Sequence, residues 1–291
     1  LLASQHAFSI FIMTHPPTRL EQHLDIDAPD RTAVDWLAEN TDLSKQRIKL
    51  AMHNGAVWIT HGQQTRRLRR ASKPLQNGDT LHLYYDTNVL DAIPVPSELL
   101  SDRDAYSIWF KPPGMFSQGS KWSDHCTVYR WAEQHLTPQR PAFIVHRLDR
   151  AASGLIIIAH EKRIAAALAA KFRTREVEKH YRVITHGCFP AQDMTLDSDI
   201  DGKPAISHVL RLAYDASADR SLLEVGIETG RKHQIRRHLS EAGYPVVGDR
   251  LYGNKTDKQD LQLCAVSLAF TCPVTQHPVQ FLLPEEKIPA L

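Results

Sequence analysis

The spacing of hydrophobic positions changes several times along the chain, and each change marks an element. Short apolar runs rich in β-branched or aromatic residues cover residues 106–110, 143–145, 155–159, 181–184, 208–214, 222–227 and 263–270. Runs of this length, bounded by turn residues, read as strands. Between them the period lengthens. Ile164, Leu168 and Phe172 lie four apart within residues 161–175, which predicts an amphipathic helix. Ile235, Leu239 and Ala242 form a similar stripe over residues 231–242, with Thr229 as the expected N-cap and Gly243 as the stop. Residues 126–136 can form a further helix that packs through Val128, Trp131 and Leu136.

The first third has its own pattern. Residues 31–39 predict a short helix with Ala33, Val34, Leu37 and Ala38 on one side. Ser44 caps a second helix carrying Ile48, Ala51 and Met52, and Asn54-Gly55 ends it. A strand over residues 56–60, a basic run at Arg66, Arg67, Arg69 and Arg70, and a turn at Asn77-Gly78-Asp79 follow. Leu81, Leu83 and Tyr85 then alternate along a closing strand. Pro94 and Pro96 mark residues 87–104 as a linker. The expected layout is a flexible extension at 1–29, a small domain at 30–86, the linker, and a large domain at 105–291. Met13 is the expected start, with residues 1–12 an upstream extension.

Composition adds less. The 291 residues suit one large and one small domain, and the net charge is only +2. Residues 31–86, however, hold nine Lys/Arg against five Asp/Glu, so the small domain is locally basic, a modest sign of a nucleic-acid partner. Cys126, Cys188, Cys264 and Cys272 are scattered without a C-x-x-C pair, which argues against a zinc ribbon and for reduced thiols in a cytoplasmic protein. No run approaches the roughly 20 apolar residues of a membrane span, and no secretory leader is evident.

Two constellations carry candidate chemistry. The first is His146-Arg147-Leu148-Asp149-Arg150-Ala151-Ala152-Ser153-Gly154-Leu155, a loop between two strands with one carboxylate flanked by two arginines. A carboxylate entering a core is costly unless paired. The residues alone leave two readings open: a structural Asp–Arg pair, or an aspartate kept ionised for chemistry. The second is Thr229-Gly230-Arg231-Lys232-His233-Gln234-Ile235-Arg236, where a strand turns into a basic helix suited to an anion.

The first stretch resembles the H-R-L-D-x-x-T-S-G-L signature of RluA-type pseudouridine synthases, with Ala152 in place of the usual threonine. Residues 229–238 resemble the family's T-G-R-x-H-Q-I-R-x-H motif, and residues 243–253 its G-x-P-x-x-G-D-x-x-Y-G continuation. Lys111-Pro112-Pro113-Gly114 and Lys179-His180-Tyr181 are similar to its K-P-x-G and K-x-Y segments. The first third resembles an S-four-like (alpha-L) RNA-binding domain through Ser44, Arg47, Gly55 and Asn77-Gly78-Asp79.

The resemblance implies an α+β fold, with a mainly antiparallel mixed sheet around a central cleft. It implies isomerisation of uridine to pseudouridine in structured RNA, rRNA first and tRNA second, without metal or organic cofactor. Asp149 becomes the nucleophile, Arg236 its partner and Tyr181 the residue against the base. Arg147 fills the space left by a flipped uridine. Arg231 and Lys111 become phosphate or site contacts, and Lys45, Arg47, Arg66 and Arg67 of the small domain RNA contacts. A monomer is expected. Ala152 removes one hydroxyl from the loop, worth about 1 kcal/mol, so slower or unchanged chemistry is expected rather than inactivity. Two rivals remain. One is an RNA-binding or ribosome-assembly factor that has lost catalysis. The other is an aspartate-nucleophile hydrolase, which would normally need a second carboxylate or metal-binding acids.

Overall fold

A computed structural model describes residues 18–27 and 31–291. The expectations for residues 1–12 and Met13 lie outside the described residues. The chain forms two compact units, one of Leu1–Ala92 with Ser120–Asp124, the other of Ile93–Gly119 with His125–Leu291.

The first unit contains β1 (Arg19–Asp25), α1 (Ala33–Asn40), α2 (Lys45–His53), β2 (Val57–His61), β3 (Gln64–Arg67), β4 (Thr80–Asp86) and the single turn α3 (Thr87–Leu90). The strands form an antiparallel sheet in the order β1-β4-β2-β3. Both long helices begin on side-chain caps: Thr32 accepts from the Asp35 amide and Ser44 from the Arg47 amide. Leu81, Leu83 and Tyr85 of β4 point inward as their alternation requires, against Leu37, Ile48, Met52 and Ile59.

Two expected boundaries shift here. Residues 19–25 are not a flexible extension but an edge strand, with Leu20 opposite Tyr85 and Leu24 opposite Leu81. Only Leu20 and Leu24 among its residues are apolar, so backbone pairing, not hydrophobic pattern, defines it. β3 consists of Gln-Thr-Arg-Arg and is legible only as the return arm of a hairpin on β2.

The basic run is also more structural than expected. Arg67 contacts the Gly55 carbonyl, lies 4.3 Å over the Trp58 ring, and its Nε sits 3.1 Å from the buried Asp124. Arg69 donates to the same carboxylate at 2.5 Å. Arg66 stays exposed. Lys45 pairs with Asp35 at 2.7 Å, and Arg47 donates to the Tyr85 hydroxyl at 2.7 Å.

The second unit contains β5 (Glu98–Asp102), β6 (Tyr106–Lys111), α4 (Val128–His135), β7 (Phe143–Ile144), β8 (Ser153–Ala159), α5 (Lys162–Arg173) and β9 (Glu178–His186). It continues with β10 (Met194–Leu196), β11 (Ser207–Asp215), β12 (Arg220–Ile227), α6 (Gln234–Glu241), β13 (Leu263–Thr271) and β14 (Pro278–Leu282). Its sheet runs β10-β11-β12-β9-β13-β8-β6-β5, with β14 on β13 and β7 on β8. All pairings are antiparallel except β8 with β13, so the fold is α+β with a mixed sheet, as the resemblance implied. The linker expected at 87–104 is largely structured: α3 takes its start and β5 pairs with β6.

β8 explains its own unbroken apolar sequence. Leu155, Ile157 and Ala159 face one core, with Ile164 and Leu168 of α5. Ile156 and Ile158 face another, with Val128 and Ala132 of α4. A strand buried on both faces needs apolar side chains at every position. A third core joins Val183, Leu223 and Val225 to Ile235 and Leu239 of α6.

Candidate active site

The Asp149 loop connects β7 to β8 and is clamped on both sides of the aspartate. Ser117 Oγ donates to the Leu148 carbonyl at 2.8 Å and lies 3.0 Å from its amide. On the other side, the Gly114 amide donates to the Arg150 carbonyl at 2.8 Å. The Ala152 amide closes a turn on the Asp149 carbonyl at 3.2 Å. Gly154 fixes where the loop enters the sheet. Its φ is +112°, and a Cβ there would lie 2.3 Å from the Ala265 carbonyl oxygen of β13.

Lys111, expected as a phosphate or site contact, belongs to this clamp. It is fully buried, and its Nζ donates to the carbonyls of Pro112 at 3.0 Å, Met115 at 2.9 Å and Arg150 at 3.3 Å. Burial pushes its pKa down to about 7, while the Asp149 charge opposes the shift. The three carbonyls favour the ammonium, since a neutral amine has only two hydrogens to donate.

The partner of Asp149 is neither neighbouring arginine. Arg236, 87 residues away on α6, donates from Nη1 to Asp149 Oδ2 at 3.2 Å. Its Nε and Nη2 are held at 2.7 Å each by the two oxygens of Asp249. Asp249 Oδ1 also accepts the amides of Leu251 and Tyr252 at 3.0 and 3.1 Å. Burial opposes charge on both members of the Arg236–Asp249 pair, yet their hydrogen bonds win. The guanidinium is held above its ordinary pKa and the Asp249 carboxyl below its own. Arg236 is thus a fixed fork with one arm left for Asp149.

His233 approaches Asp149 Oδ1 at 3.8 Å through Nε2, while Nδ1 is 2.9 Å from the Tyr252 hydroxyl. Burial, ahead of the opposing Asp149 charge, lowers the His233 pKa and favours the neutral ring. This residue starts α6 in the left-handed region, at φ 57°. The helix therefore begins at Gln234, three residues later than expected. Thr229 is not its cap: the Thr229 hydroxyl donates to Gln234 Oε1 at 2.6 Å and accepts the Ile206 amide at 3.1 Å. Lys232 lies outside the helix.

Tyr181 stands on β9, buried, and lines the same cleft as Asp149. Among the described residues its hydroxyl has no hydrogen-bond partner. Burial, then the Asp149 charge, raises its pKa, so the phenol stays protonated. The cleft encloses about 240 Å³, and Arg147, Ala152, Arg231 and Leu263 complete its wall. Asp149 reaches it with 17% of its side chain exposed. Arg147 is exposed at the rim, and Arg231 Nε donates to the Pro204 carbonyl at 3.0 Å. Asp149, Tyr181, Arg147 and Arg231 thus line one cavity, and Arg236 reaches it through its bond to Asp149. Lys111 stands behind it, and Lys45, Arg47, Arg66 and Arg67 belong to the other unit.

The family description RNA pseudouridylate synthase matches residues 105–241. An uncharacterized RNA pseudouridine synthase of Chloroflexus aurantiacus is 32% identical over 271 residues, covering 83% of this chain and 78% of its own length. The chain belongs to the RNA pseudouridine synthase family. Ribosomal large subunit pseudouridine synthase D of Neisseria meningitidis serogroup A is 29% identical over 66% of this synthase and 59% of its own chain. The human RNA pseudouridylate synthase domain containing 1 structure shares the fold. It has a TM-score of 0.57 and 21% identity, and covers 68% of this chain and 88% of its own. The synthase is accordingly an RNA-modifying isomerase.

Sequence reasoning left Asp249 and Tyr252 without roles and placed His233 only on the basic flank suited to an anion, although Gly248-Asp249 stood inside a recognised motif. The available signal was a second acid in a segment otherwise devoted to turning the chain.

Proposed function

We propose that the synthase isomerises uridines of structured RNA, ribosomal RNA foremost, with Asp149 as the nucleophile and the target base turned out of its helix. The observation that carries this reading is the placement of the Asp149 carboxylate on the free arm of an immobilised Arg236, beside a protonated Tyr181, in a cleft open to a ring. In the reaction the N1–C1′ bond of uridine breaks, the uracil rotates, and a C5–C1′ bond forms; the proton on C5 leaves to solvent and N1 takes one up, so atoms and charge balance. Asp149 adds either to C1′ or to the uracil ring. In both routes it must be ionised, and Arg236, donating to Oδ2 at 3.2 Å, sets its direction. Tyr181 packs against the base and carries a proton near the ribose. Flipping costs a few kcal/mol, and Arg147 at the rim fills the vacated stack.

The first unit docks RNA, as its likeness to an S-four-like domain suggests. Arg66 offers an exposed charge, and Lys45 and Arg47 belong to the same unit. The naming of several relatives as ribosomal large-subunit enzymes supports rRNA over tRNA. Among the described residues no cysteine forms a disulfide, which fits the reducing cytoplasm.

Tritium release from [5-³H]uridine-labelled cellular RNA tests the reading. The natural chain should release tritium. Asp149→Ala should release none while still binding RNA. Joint loss of binding and release would make Asp149 structural, and an inactive natural chain would favour a binding factor. Mapping pseudouridines with and without the gene separates rRNA from tRNA.

A further inference from the structure

Beside the Asp149 cleft lies a second lobe of about 390 Å³, and the two share Arg147, Tyr181, Ile227, Gly230 and Arg231 as a common wall. Its lining is cationic: Arg147, Arg173, Arg175, Lys179 and Arg231. The carboxylate in the lining, Glu228, is engaged at 2.9 Å by His208.

Lys179 is the informative member. Only 8% of it is exposed, yet among the described residues no carboxylate or carbonyl accepts from its ammonium. It precedes Tyr181 by two positions on β9, so both side chains leave the same face of the strand, about 7 Å apart along it. A buried cation without a counter-charge is unfavourable. Burial, then the charge of Arg175, lower its pKa. Arg175 itself sits at φ 65°, just past the end of α5, where glycine is the usual choice. An arginine is thus kept where the backbone disfavours one, beside a buried lysine that it repels.

His146 and Phe172 also line the lobe. His146 Nε2 accepts the Ile157 amide at 2.9 Å, its ring stacks on Phe172 at 4.3 Å, and burial drives its pKa down to about 3. The proton of the neutral ring therefore sits on Nδ1.

We infer that this lobe is a phosphodiester subsite, in which Lys179 and Arg175 hold a backbone phosphate of the RNA strand adjoining the target uridine. The inference rests on the reading of the neighbouring cleft as the uridine site. It adds a fixed anion position that sets which stretch of strand can enter.

The test uses the full chain and a fluorescein-labelled oligouridylate, with affinity measured across a salt series. Lys179→Met should weaken binding roughly tenfold, the loss of a charge-assisted contact. It should also reduce the slope of log affinity against log salt by about 0.7, the value for one phosphate on a single strand. Its unfolding temperature should hold or rise, since a desolvated charge is removed, and Lys179→Arg should restore the slope. Replacing each linkage in turn by neutral methylphosphonate should reveal one position that weakens the natural chain but not Lys179→Met. An unchanged slope in Lys179→Met, a fall in its unfolding temperature without a change in slope, or salt-independent binding by the natural chain overturns the proposal. Tritium release by the natural chain is scored separately, so failure of the isomerase reading and failure of the subsite are distinguishable.

Discussion

Tyr181 and Asp249 show how differently two buried polar groups can serve one site. The Tyr181 hydroxyl is spared any partner among the described residues, so its removal should leave the fold intact. Tyr181→Phe is expected to keep its unfolding temperature while tritium release falls roughly 100-fold or more, the range of a lost proton-transfer group. Single-turnover rates at saturating RNA would check this. Asp249 is the opposite case. Asp249→Asn leaves Arg236 buried without its bidentate partner, which should cost about 3–5 kcal/mol in denaturant unfolding and misdirect Asp149. The pH dependence follows from the lowered Asp249 pKa. The unfolded carboxyl, near 3.8, binds protons before the folded one does. The contribution of Asp249 to stability is therefore complete above that value and is lost as pH falls through the folded value. Asp249→Asn should flatten the acid limb of a stability–pH curve measured below pH 4.

At the scale of elements, the site depends on where strands and helices begin. β8 must approach β13 closely for Asp149 to face α6, and Gly154 makes that approach. Gly154→Ala adds a methyl against the Ala265 backbone at a positive φ. A loss of about 3 kcal/mol is expected in chemical denaturation, with slower isomerisation. α6 begins late, at Gln234, because Gln234 and Thr229 bind each other, the Ile206 backbone and the Ser207 hydroxyl instead of forming an ordinary cap. That late start leaves His233 in a left-handed turn, where Nε2 can approach Asp149.

The whole molecule has two units but not two simple stretches of chain. Ser120–Asp124 interrupts the sequence of the second unit and packs within the first, where Asp124 receives Arg67 and Arg69. Asp124→Asn should therefore destabilise the first unit by about 3 kcal/mol or more, although the residue lies far from it in sequence. Differential scanning calorimetry would show this as a lowered transition for that unit. A chain cut between the expected domains would lose the same contact.

Much of the catalytic unit could be read before folding. β8, α5, β9 and β12 announce themselves by apolar run or period, because burial imposes a local and regular pattern. Asp149, Tyr181 and Arg236 could be singled out because their motifs are long and ordered. What the sequence hid has a common cause. β1 and β3 are defined by backbone pairing with partners distant in the chain, so their polar side chains carry no signal. Lys111, Arg67 and Asp249 look like free charges in a string of letters. Only tertiary structure decides that one is caged by carbonyls, another bound to Asp124, and the third spent on Arg236. The linear chain determined which elements form and which carboxylate is set apart. The folded chain alone decided which cations remain available to RNA, because a charge is free or neutralised according to neighbours that sequence distance does not reveal.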